Sequence, residues 1–357
     1  MTLGIHLLLL ALLVPGGLCS VFIIGASGAI GRRLTEHLLS EGIPVVAGIR
    51  RSPLPEHITS HPLISVESGV DCRDADSLRR VFAANPSIDT VWNLAAPLSV
   101  ETAADPALAH DVVVGGMRRL LDAMREYSVP NINFSDSIGS YGAECPRETA
   151  IPAAWLVENP KQDPGSDYGR QKRECRELMR EFAEEQPGVR SSRWAVIPGV
   201  LHDDESWGSG TTEYALDAIK AAATGELYES IVELDVPLPM IIRDDLIRGL
   251  HKLTVAPRDE LKEKEGGYTI AGFSFTAREL FAAIEKRTPG FRWTVKEEEE
   301  LLRTSPAALF ARLWPDALSK VEAERDLGFV AEMSGVQGMV DDLMGTWERR
   351  LAAGGEL

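Results

Sequence analysis

The sequence is poor in cysteine and histidine. Its 357 residues include four cysteines and seven histidines, and both residue types are widely scattered. No C-x-x-C pair and no histidine cluster accompanies Cys19, Cys72, Cys145 or Cys175, so the sequence predicts neither a zinc site nor a disulfide framework. Unpaired cysteines are typical of a reducing compartment. We therefore expect a cytoplasmic or mitochondrial protein that holds no metal.

Basic residues are scarce relative to acidic ones. The chain has 37 lysines and arginines against 54 acidic residues, which gives a formal net charge of −17. Nucleic acids and anionic membrane surfaces require basic patches, so these partners are excluded. Apolar residues make up 44% and charged residues 25% of the chain, as in ordinary globular proteins. This balance excludes a disordered, collagenous or multi-span membrane protein.

Long apolar runs are confined to the N-terminus. Residues 5–14 are almost wholly apolar and precede Pro15 and two glycines, but no basic residue comes before them. A membrane-spanning helix needs about 20 apolar residues, so this run is too short. We interpret residues 1–19 as a hydrophobic extension or a signal-like segment. Export or membrane association stays open for this segment alone.

From residue 20 onwards, short apolar segments alternate with amphipathic ones. This alternation predicts βαβ units and a parallel sheet that is covered by helices on both faces. The expected fold is therefore a doubly wound α/β fold. Strands are predicted over 21–24, 43–49, 90–94 and 131–134, and helices over 32–40, 75–84 and 107–127.

Three glycines lie where the first predicted strand meets the first predicted helix. Gly25, Gly28 and Gly31 form a G-x-x-G-x-x-G motif, in which the glycines permit a tight turn, a close approach to a pyrophosphate and close helix packing. The free N–H groups of a helix N-terminus bind phosphate. A purely structural glycine turn is the alternative. The motif predicts a Rossmann-like NAD(P)-binding domain over 20–198 and a smaller, mainly substrate-binding part over 199–357, from which some segments return to the sheet.

A tyrosine and a lysine form the candidate catalytic pair. Tyr168 and Lys172 are four residues apart and therefore share one face of a helix. A neighbouring ammonium favours the phenolate form of tyrosine, so Tyr168 can accept a proton from a substrate hydroxyl. Ser137 can hold the substrate oxygen, and Lys172 can orient the ribose of a cofactor. An exposed Tyr/Lys pair without a function is the alternative, and the glycine motif weighs against it.

These segments resemble, in order, those of the extended short-chain dehydrogenase/reductase superfamily, whose members are similar to NAD-dependent epimerases and dehydratases. The matches are a D-x-x-D segment at 71–74, N-x-A-A at 93–96, S-x-x-x-Y-G at 137–142 and Y-x-x-x-K at 168–172. The resemblance implies Tyr168 as the general base, assisted by Lys172 and Ser137. The cofactor-binding residues that it implies are Gly25, Ser27, Gly28, Ala29, Ile30, Gly31, Arg50, Asp71, Cys72, Leu94, Ala95, Ala96, Tyr168, Lys172 and Pro198.

Within this superfamily, the chain is most similar to short-chain-type L-threonine 3-dehydrogenases. The similarity runs from about residue 21 to 344 and is most specific in the G-T-T-E-Y-A segment at 210–215 and the L-P-M segment at 238–240. It implies oxidation of the threonine β-hydroxyl to a ketone by NAD or NADP. It also implies a homodimer formed through the helices after Pro106 and Tyr168. The substrate-binding residues that it implies are Ser99, Ser137, Tyr168, Thr211 and Trp314.

Two of these residues have plainer interpretations, and two features depart from the family. Thr211 can simply cap the helix that follows, and Trp314 can belong to the core. The acidic residue that contacts the ribose of NAD is replaced by Gly48, followed by Arg50 and Arg51, which makes NADP plausible. The second departure is a longer segment between Ser137 and Tyr168, which contains Trp155 and a D-P-G turn at 163–165.

Three other functions compete with this interpretation. A sugar-nucleotide epimerase or dehydratase and a carbonyl reductase use the same fold and the same tyrosine. A sugar diphosphate needs basic residues in the substrate half, and few occur in the sequence around Thr211. A non-catalytic NAD(P) sensor is a further alternative, but it does not require Tyr168, Lys172 or Ser137.

Overall fold

The computed structural model describes residues 19–97, 99–185, 188–204, 210–257, 261–262 and 266–354. Apart from Cys19, the predicted N-terminal extension lies outside the described residues. Cys19 is exposed and the three other cysteines are buried, and all four are free thiols. Across the described part of the chain, no helix has both the length and the apolar character needed to cross a bilayer.

The centre of the molecule is a seven-stranded sheet in the order β11-β7-β5-β4-β1-β2-β3, in which every neighbouring pair is parallel. This confirms the expected Rossmann-like α/β fold. From β1 the chain adds β2 and β3 on one side of the sheet and then β4, β5 and β7 on the other. The switch point therefore lies between β1 and β4, and ligands bind at such a point, at the carboxyl ends of the strands. The strands are β1 (Ser20–Ile24), β2 (Val45–Ile49), β3 (Ile64–Ser68), β4 (Ile88–Asn93), β5 (Asn131–Ser137), β6 (Ala150–Ile151), β7 (Ser191–Ile197), β8 (Gly199–Leu201), β9 (Leu227–Ser230), β10 (Leu238–Ile242), β11 (Gly267–Thr269), β12 (Phe273–Phe275), β13 (Arg292–Val295) and β14 (Ala317–Leu318).

Helices cover both faces of this sheet. Successive residues of β1 alternate between two cores, with Phe22 and Ile24 in one and Val21 and Ile23 in the other, as a strand buried on both faces requires. The helices are α1 (Ala29–Ser40), α2 (Glu56–Thr59), α3 (Ala75–Ala84), α4 (Ser99–Ala104), α5 (Pro106–His110), α6 (Gly116–Glu126), α7 (Ala154–Glu158), α8 (Asp167–Glu185), α9 (Tyr214–Thr224), α10 (Arg243–Val255), α11 (Ala277–Arg287), α12 (Glu298–Thr304), α13 (Pro306–Ala311), α14 (Val321–Leu327) and α15 (Val336–Ala352).

One predicted helix differs from the structure in its interior. The helix expected over 107–127 consists of α5 and α6 joined by a π-helical turn at Asp111–Gly115. A π-helical turn accommodates an extra residue within a helix. Gly116 begins α6 directly against Cys72, where a Cβ atom would lie 2.7 Å from the Cys72 Cβ. Hydrophobic spacing does not reveal such a local change of pitch.

The smaller part begins where β7 ends. Strand β8 follows β7 after one residue and forms a three-stranded sheet in the order β12-β10-β8. The smaller part therefore starts at the carboxyl edge of the central sheet. The chain also returns to the central sheet, because β11 pairs with β7. Helix α15 packs on α9 and α11 and completes the core of the smaller part.

Candidate active site

Two adjoining cavities lie at the carboxyl ends of the central strands. The tyrosine cavity has a volume of about 490 Å³ and the glycine cavity about 590 Å³, and Leu94, Ala96 and Pro97 belong to the walls of both. The predicted site residues in the wall of the tyrosine cavity are Ala29, Ile30, Leu94, Ala96, Ser137, Tyr168, Lys172, Pro198, Thr211 and Trp314. Those in the wall of the glycine cavity are Gly25, Ser27, Gly28, Arg50, Arg51, Asp71, Cys72, Leu94, Ala95 and Ala96.

The glycine turn shapes a cradle for a phosphate. Gly25 has a φ of 84°, a conformation that glycine adopts readily. At Gly31 a Cβ atom would lie 2.2 Å from the Gly25 carbonyl oxygen, so only glycine allows α1 to start this close to the turn. Gly28 is the N-cap of α1, and the first turn of α1 contains no acidic residue. The N–H groups and the helix dipole therefore favour an anion here.

Charged groups line the far end of the glycine cavity. The Arg73 Nη2 atom lies 2.7 Å from Asp71 Oδ2, and its hydrogen bonds lower the pKa of the Asp71 carboxyl to about 2. Burial raises the pKa of the Cys72 thiol to about 12, so this thiol is neutral. Arg50 and Arg51 complete this end of the wall.

Gly48 of β2 is hydrogen-bonded to the glycine turn, because its carbonyl oxygen accepts the Gly25 N–H over 3.2 Å and the Ala26 N–H over 3.1 Å. A Cβ atom at this position would lie 2.8 Å from Cε2 of Phe22 and 3.2 Å from the Ile23 carbonyl oxygen. The Phe22 ring therefore occupies the space that a side chain at position 48 would need. Phe22 is fully buried and packs edge-on against Phe82, which holds the ring in place.

The Ser137 hydroxyl and the Tyr168 ring lie against the same glycine. A Cβ atom at Gly139 would lie 3.0 Å from Tyr168 Cδ1 and 3.5 Å from Ser137 Oγ. The Gly139 backbone N–H donates to Ser137 Oγ over 3.1 Å. Tyr168 is half-buried at the start of α8. The turn after β5 thus brings a fixed hydroxyl and a phenol to one wall.

Lys172 is buried below the tyrosine ring. Its side chain is 2% exposed, and its ammonium lies 5.4 Å from the centre of the Tyr168 ring and 4.7 Å from that of Phe134. The ammonium donates to the Ser135 carbonyl oxygen over 2.7 Å. Among the described residues this is its one hydrogen bond. An ammonium has three donors, so two remain for a ligand.

A buried ion pair supports the serine turn, and sequence analysis missed it. The Asp136 carboxylate accepts from the Ser137 N–H over 2.8 Å and from the Ser140 hydroxyl, and it pairs with Arg176. Both charged side chains are buried, and Arg176 also lies over the Trp194 ring. The spacing of Tyr168, Lys172 and Arg176 could have indicated it. Residues four apart share one face of a helix, so Arg176 lies on the face that carries Tyr168 and Lys172.

Thr211 lies in the wall of the tyrosine cavity, with its hydroxyl buried. The residue is 2% exposed, and its Oγ1 atom has no hydrogen-bond partner among the described residues. The capping interpretation does not hold, because Gly210 is the N-cap of the turn at Thr211–Glu213. The Glu213 carboxylate accepts the Gly210 N–H over 2.6 Å. Buried hydroxyls without partners are costly, and a rotation of this side chain towards the cavity would let a ligand bind it.

Of the two other predicted substrate residues, Trp314 lies in the cavity wall, and the side chain of Ser99 is not described. Trp314 is 6% exposed and contributes to both the core and the cavity wall. Ser99 begins α4, but its side chain lies outside the described residues.

The structure adds two polar side chains that sequence analysis did not select. Arg243 and His202 both line the tyrosine cavity. The Arg243 guanidinium is 3% exposed and donates to Asp203 over 2.9 Å and to Asp204 over 2.5 Å. Burial lowers the pKa of the His202 imidazole below its usual value. The fold brings Arg243 to the cavity wall from a segment distant in sequence, but Asp203 and Asp204 balance its charge, so free cationic groups stay few around Thr211 in the described residues.

The longer segment before Tyr168 packs behind the serine turn. Trp155 lies against the Tyr141 ring at a centroid distance of 5.7 Å, and the Gln162 side chain donates to the Ser140 carbonyl oxygen over 2.7 Å. A Cβ atom at Gly142 would lie 1.8 Å from the Asp163 carbonyl oxygen. The segment therefore braces the turn from outside the cavity.

Comparisons with known proteins agree with this geometry. Residues 21–224 match the sequence model of the NAD-dependent epimerase/dehydratase family. The mitochondrial L-threonine 3-dehydrogenase of Bos taurus is 28% identical over 313 residues, which cover 87% of this chain and 78% of that protein.

Two solved structures have the same fold over nearly their whole length. A partial consensus L-threonine 3-dehydrogenase is 29% identical with a TM-score of 0.78, and the alignment covers 92% of this chain and 99% of that one. The GalE-like L-threonine dehydrogenase from Cupriavidus necator in its holo form is 28% identical with a TM-score of 0.77 and the same coverage.

Proposed function

The chain belongs to the NAD-dependent epimerase/dehydratase family, and from this premise we propose that it oxidises the secondary hydroxyl of L-threonine, or of a similar small hydroxy compound, to a ketone. The observation that carries the proposal is the tyrosine cavity, where Tyr168, Ser137 and the buried Thr211 hydroxyl meet beside the glycine turn. The threonine dehydrogenases to which the chain is similar support the choice of substrate.

The residues of the glycine cavity and of the adjoining part of the tyrosine cavity fit a nicotinamide dinucleotide. Gly25, Ser27 and Gly28 would hold the pyrophosphate, and Asp71 with the Cys72 backbone would hold the adenine. Lys172 would bind the ribose with its two remaining donors, and Ala29, Ile30 and Pro198 would border the nicotinamide. The fit rests on the cradle at Gly31, which a Cβ atom would fill. When bound, the cofactor supplies the acceptor for the hydride that leaves the substrate carbon.

In the proposed reaction, Tyr168 removes the hydroxyl proton of the substrate. Ser137 is already held by the Gly139 N–H, so its own hydrogen is available to bind the substrate oxygen. The buried Lys172 ammonium stabilises the negative charge on the Tyr168 oxygen, because charges interact strongly in a low-dielectric environment. The proton therefore has a positioned acceptor at the Tyr168 phenol oxygen.

The cavity wall suits an amino-acid zwitterion. The wall contains an anionic side chain, Glu213, which can bind the ammonium group of an amino acid. Asp203 and Asp204 already balance the charge of Arg243, so hydroxyl groups such as that of Ser137 would hold the substrate carboxylate. Trp314 provides an apolar surface. We also keep Ser99 as a proposed substrate residue because of its place in the family motif.

A sugar-nucleotide epimerase or dehydratase is the second candidate, because the family includes both activities. A nucleoside diphosphate carries several negative charges and favours clustered cations. Among the described residues that line the tyrosine cavity, the lysine and arginine residues are Lys172 and Arg243. Two acidic side chains already neutralise Arg243. This charge balance favours the small zwitterion.

Three further expectations belong to the proposal. The positions of Arg50 and Arg51 in the cavity wall support use of NADP as well as NAD. A homodimer would form through two neighbouring helical segments of each protomer, α5–α6 and α8. Within the chain, the Arg118–Glu174 ion pair joins these two segments. A cytoplasmic or mitochondrial location would supply the cofactor.

The decisive experiment measures reduction of NAD and NADP by the purified protein. L-threonine is compared with its stereoisomers and with L-serine, and the amino ketone product is identified chemically. We expect turnover that is selective for L-threonine. Tyr168→Phe removes the proton acceptor and should lower kcat by about 100-fold to 10,000-fold, with cofactor binding retained.

Three outcomes would contradict the proposal. Near-normal turnover by Tyr168→Phe would exclude this residue as the general base. Interconversion of sugar nucleotides without net reduction of added NAD would identify an epimerase. Cofactor binding without turnover across a wide alcohol panel would identify a sensor.

A further inference from the structure

Two histidines and a glutamate meet on the outer face of the molecule, away from both cavities. His37 and Glu41 lie at the C-terminal end of α1, four residues apart, and His251 lies on α10. The two helices pack side by side on the same face of the central sheet. The sequence separates His37 from His251 by 214 residues, so only the fold brings the three side chains together.

The ligand atoms of these side chains are close enough to share one ion. His37 Nε2 lies 2.9 Å from His251 Nδ1, and the two rings meet at 66°. These two nitrogens and a Glu41 carboxylate oxygen all lie within 4.8 Å of one another. Two nitrogens that each bind zinc at about 2.0–2.1 Å in tetrahedral geometry are about 3.4 Å apart. The two nitrogens would therefore move apart by about 0.5 Å, and the exposed Glu41 side chain would approach by up to about 1.4 Å.

The charges of the site suit a metal ion. The Glu41 carboxylate supplies a negative charge beside the two imidazoles, and imidazole binds metals in its neutral form.

We propose that His37, Glu41 and His251 form a binding site for a divalent transition-metal ion such as zinc. Imidazole nitrogens with one carboxylate favour zinc, nickel or copper over magnesium and calcium, which prefer oxygen ligands. Glu41 is exposed, so water completes the coordination. The proposal departs from the sequence-based expectation that the chain holds no metal.

The ion would join two helices that begin at the active site. Helix α1 starts at the glycine turn, and α10 starts at Arg243 in the wall of the tyrosine cavity. None of the three ligands belongs to the wall of either cavity. The metal therefore stabilises the packing between the two helices and takes no part in the hydride or proton transfer.

The test is a titration of the full chain, freed of metal by chelation, with Co²⁺ and with Zn²⁺. Tetrahedral Co²⁺ has a characteristic visible absorption that Zn²⁺ removes by displacement. We expect one ion per chain and a rise in Tm with Zn²⁺. Loss of a ligand in His251→Asn, His37→Gln or Glu41→Gln should weaken binding by at least about 10-fold, since even outer-shell partners contribute that much.

His57→Gln is the matched control. His57 pairs with Glu36 of α1 at 3.0 Å and forms a histidine–carboxylate pair that has no third metal-binding side chain among the residues that the structure describes. The control should bind Co²⁺ as the unchanged protein does. Because the Glu41 side chain is exposed, Glu41→Gln should fold even if the histidine variants do not. The proposal is overturned if the unchanged protein lacks the absorption and the Tm shift, or if folded ligand variants retain both.

Discussion

At the scale of single residues, the properties of Tyr168 and Asp71 depend on the charged side chains beside them. The Tyr168 ring lies near the buried Lys172 ammonium, while the wall of the glycine cavity combines Arg50 with the Asp71 carboxylate. Hydrogen bonds from Arg73 lower the pKa of the Asp71 carboxyl, and the positive charge of Arg50 adds to this effect. At position 48 no side chain fits beside Phe22. Under the proposed function, Arg50 would therefore lie where an acidic residue binds the ribose in proteins that prefer NAD.

Arg50→Ala tests this arrangement. We expect the KM for NADP to rise by about 10-fold, because a hydrogen bond to a charged group contributes about 1.5–3 kcal/mol. The KM for NAD, which lacks the 2′-phosphate, should change less. Steady-state kinetics with both cofactors measures the difference. Arg79→Ala, which removes an arginine paired with Glu126 on the surface, is the control. Equal effects of Arg50→Ala on both cofactors would refute a role in 2′-phosphate binding.

At the scale of elements, α8 carries three functional contacts on one stripe. Tyr168, Lys172 and Arg176 follow at intervals of four residues and face β5. Tyr168 lies in the cavity wall. Lys172 is buried beneath the Tyr168 ring, and Arg176 pairs with Asp136 at the end of β5. The helix and the strand are thus fixed to each other at the position of Ser137.

Asp136→Asn tests the ion pair between these elements. It leaves the Arg176 charge buried without its partner, which should destabilise the protein by about 3–5 kcal/mol. The Ser137 N–H also loses its charged acceptor, so kcat should fall as well. The double variant Asp136→Asn/Arg176→Met should recover most of the stability, because it removes the unpaired charge and keeps an oxygen that accepts from the Ser137 N–H and the Ser140 hydroxyl. It should not recover kcat. Denaturant unfolding and steady-state kinetics measure the two effects. A double variant less stable than Asp136→Asn would refute this account.

Strand β11 is tied to α14 by a carboxylate whose effect depends on pH. The Tyr268 hydroxyl donates to Asp326 over 2.8 Å, and hydrogen bonds from Arg325 and Tyr268 lower the pKa of Asp326 to about 2. An ordinary aspartate has a pKa of about 3.9. The stabilisation is therefore complete above about pH 4 and is lost as the pH falls towards 2.

Asp326→Asn should accordingly destabilise the protein by about 1–3 kcal/mol at pH 7. The difference from the unchanged protein should shrink between about pH 4 and 2. Urea unfolding at a series of pH values measures this, with the exposed Asp342→Asn as the control. A difference that is constant with pH would show that the carboxylate charge does not matter.

At the scale of the whole molecule, charged side chains join the two parts around the tyrosine cavity. Asp204, just after β8, lies 2.5 Å from Arg243 of α10 and 3.5 Å from Arg32 of α1. Asp203 accepts from Arg243, and its backbone carbonyl accepts from Arg350 of α15 over 2.6 Å. One short segment thus connects the cofactor-binding helix, the cavity wall and the C-terminal helix.

The double variant Asp203→Asn/Asp204→Asn should lose more unfolding free energy than its two single variants lose together. Each single change leaves Arg243 one carboxylate, whereas the double change leaves a buried charge unpaired, at a cost of about 3–5 kcal/mol. Unfolding free energies of the three variants give the coupling. Asp235→Asn, which breaks an exposed pair with Arg278, should change stability by less than about 1 kcal/mol. Simple additivity would show that the two carboxylates act independently.

The sequence alone determined the features that depend on local spacing. The glycine turn, the strand–helix alternation and the helix at Ala75–Ala84 follow from periodicity and from backbone sterics, which act over a few residues. The positions of Tyr168 and Lys172 on one helix face follow in the same way. The place of Trp314 in the cavity wall came from a family motif, because a lone tryptophan has no local pattern.

Only the tertiary structure decided which distant charges meet. Asp136 with Arg176, Arg243 with Asp203 and Asp204, and His37 with His251 are each separated by 39 residues or more in the chain. The buried hydroxyl of Thr211 likewise depends on the packing of the smaller part. A charge is stable in the interior only where the fold supplies its partner. That partner is fixed by the path of the whole chain, and a local pattern does not contain it.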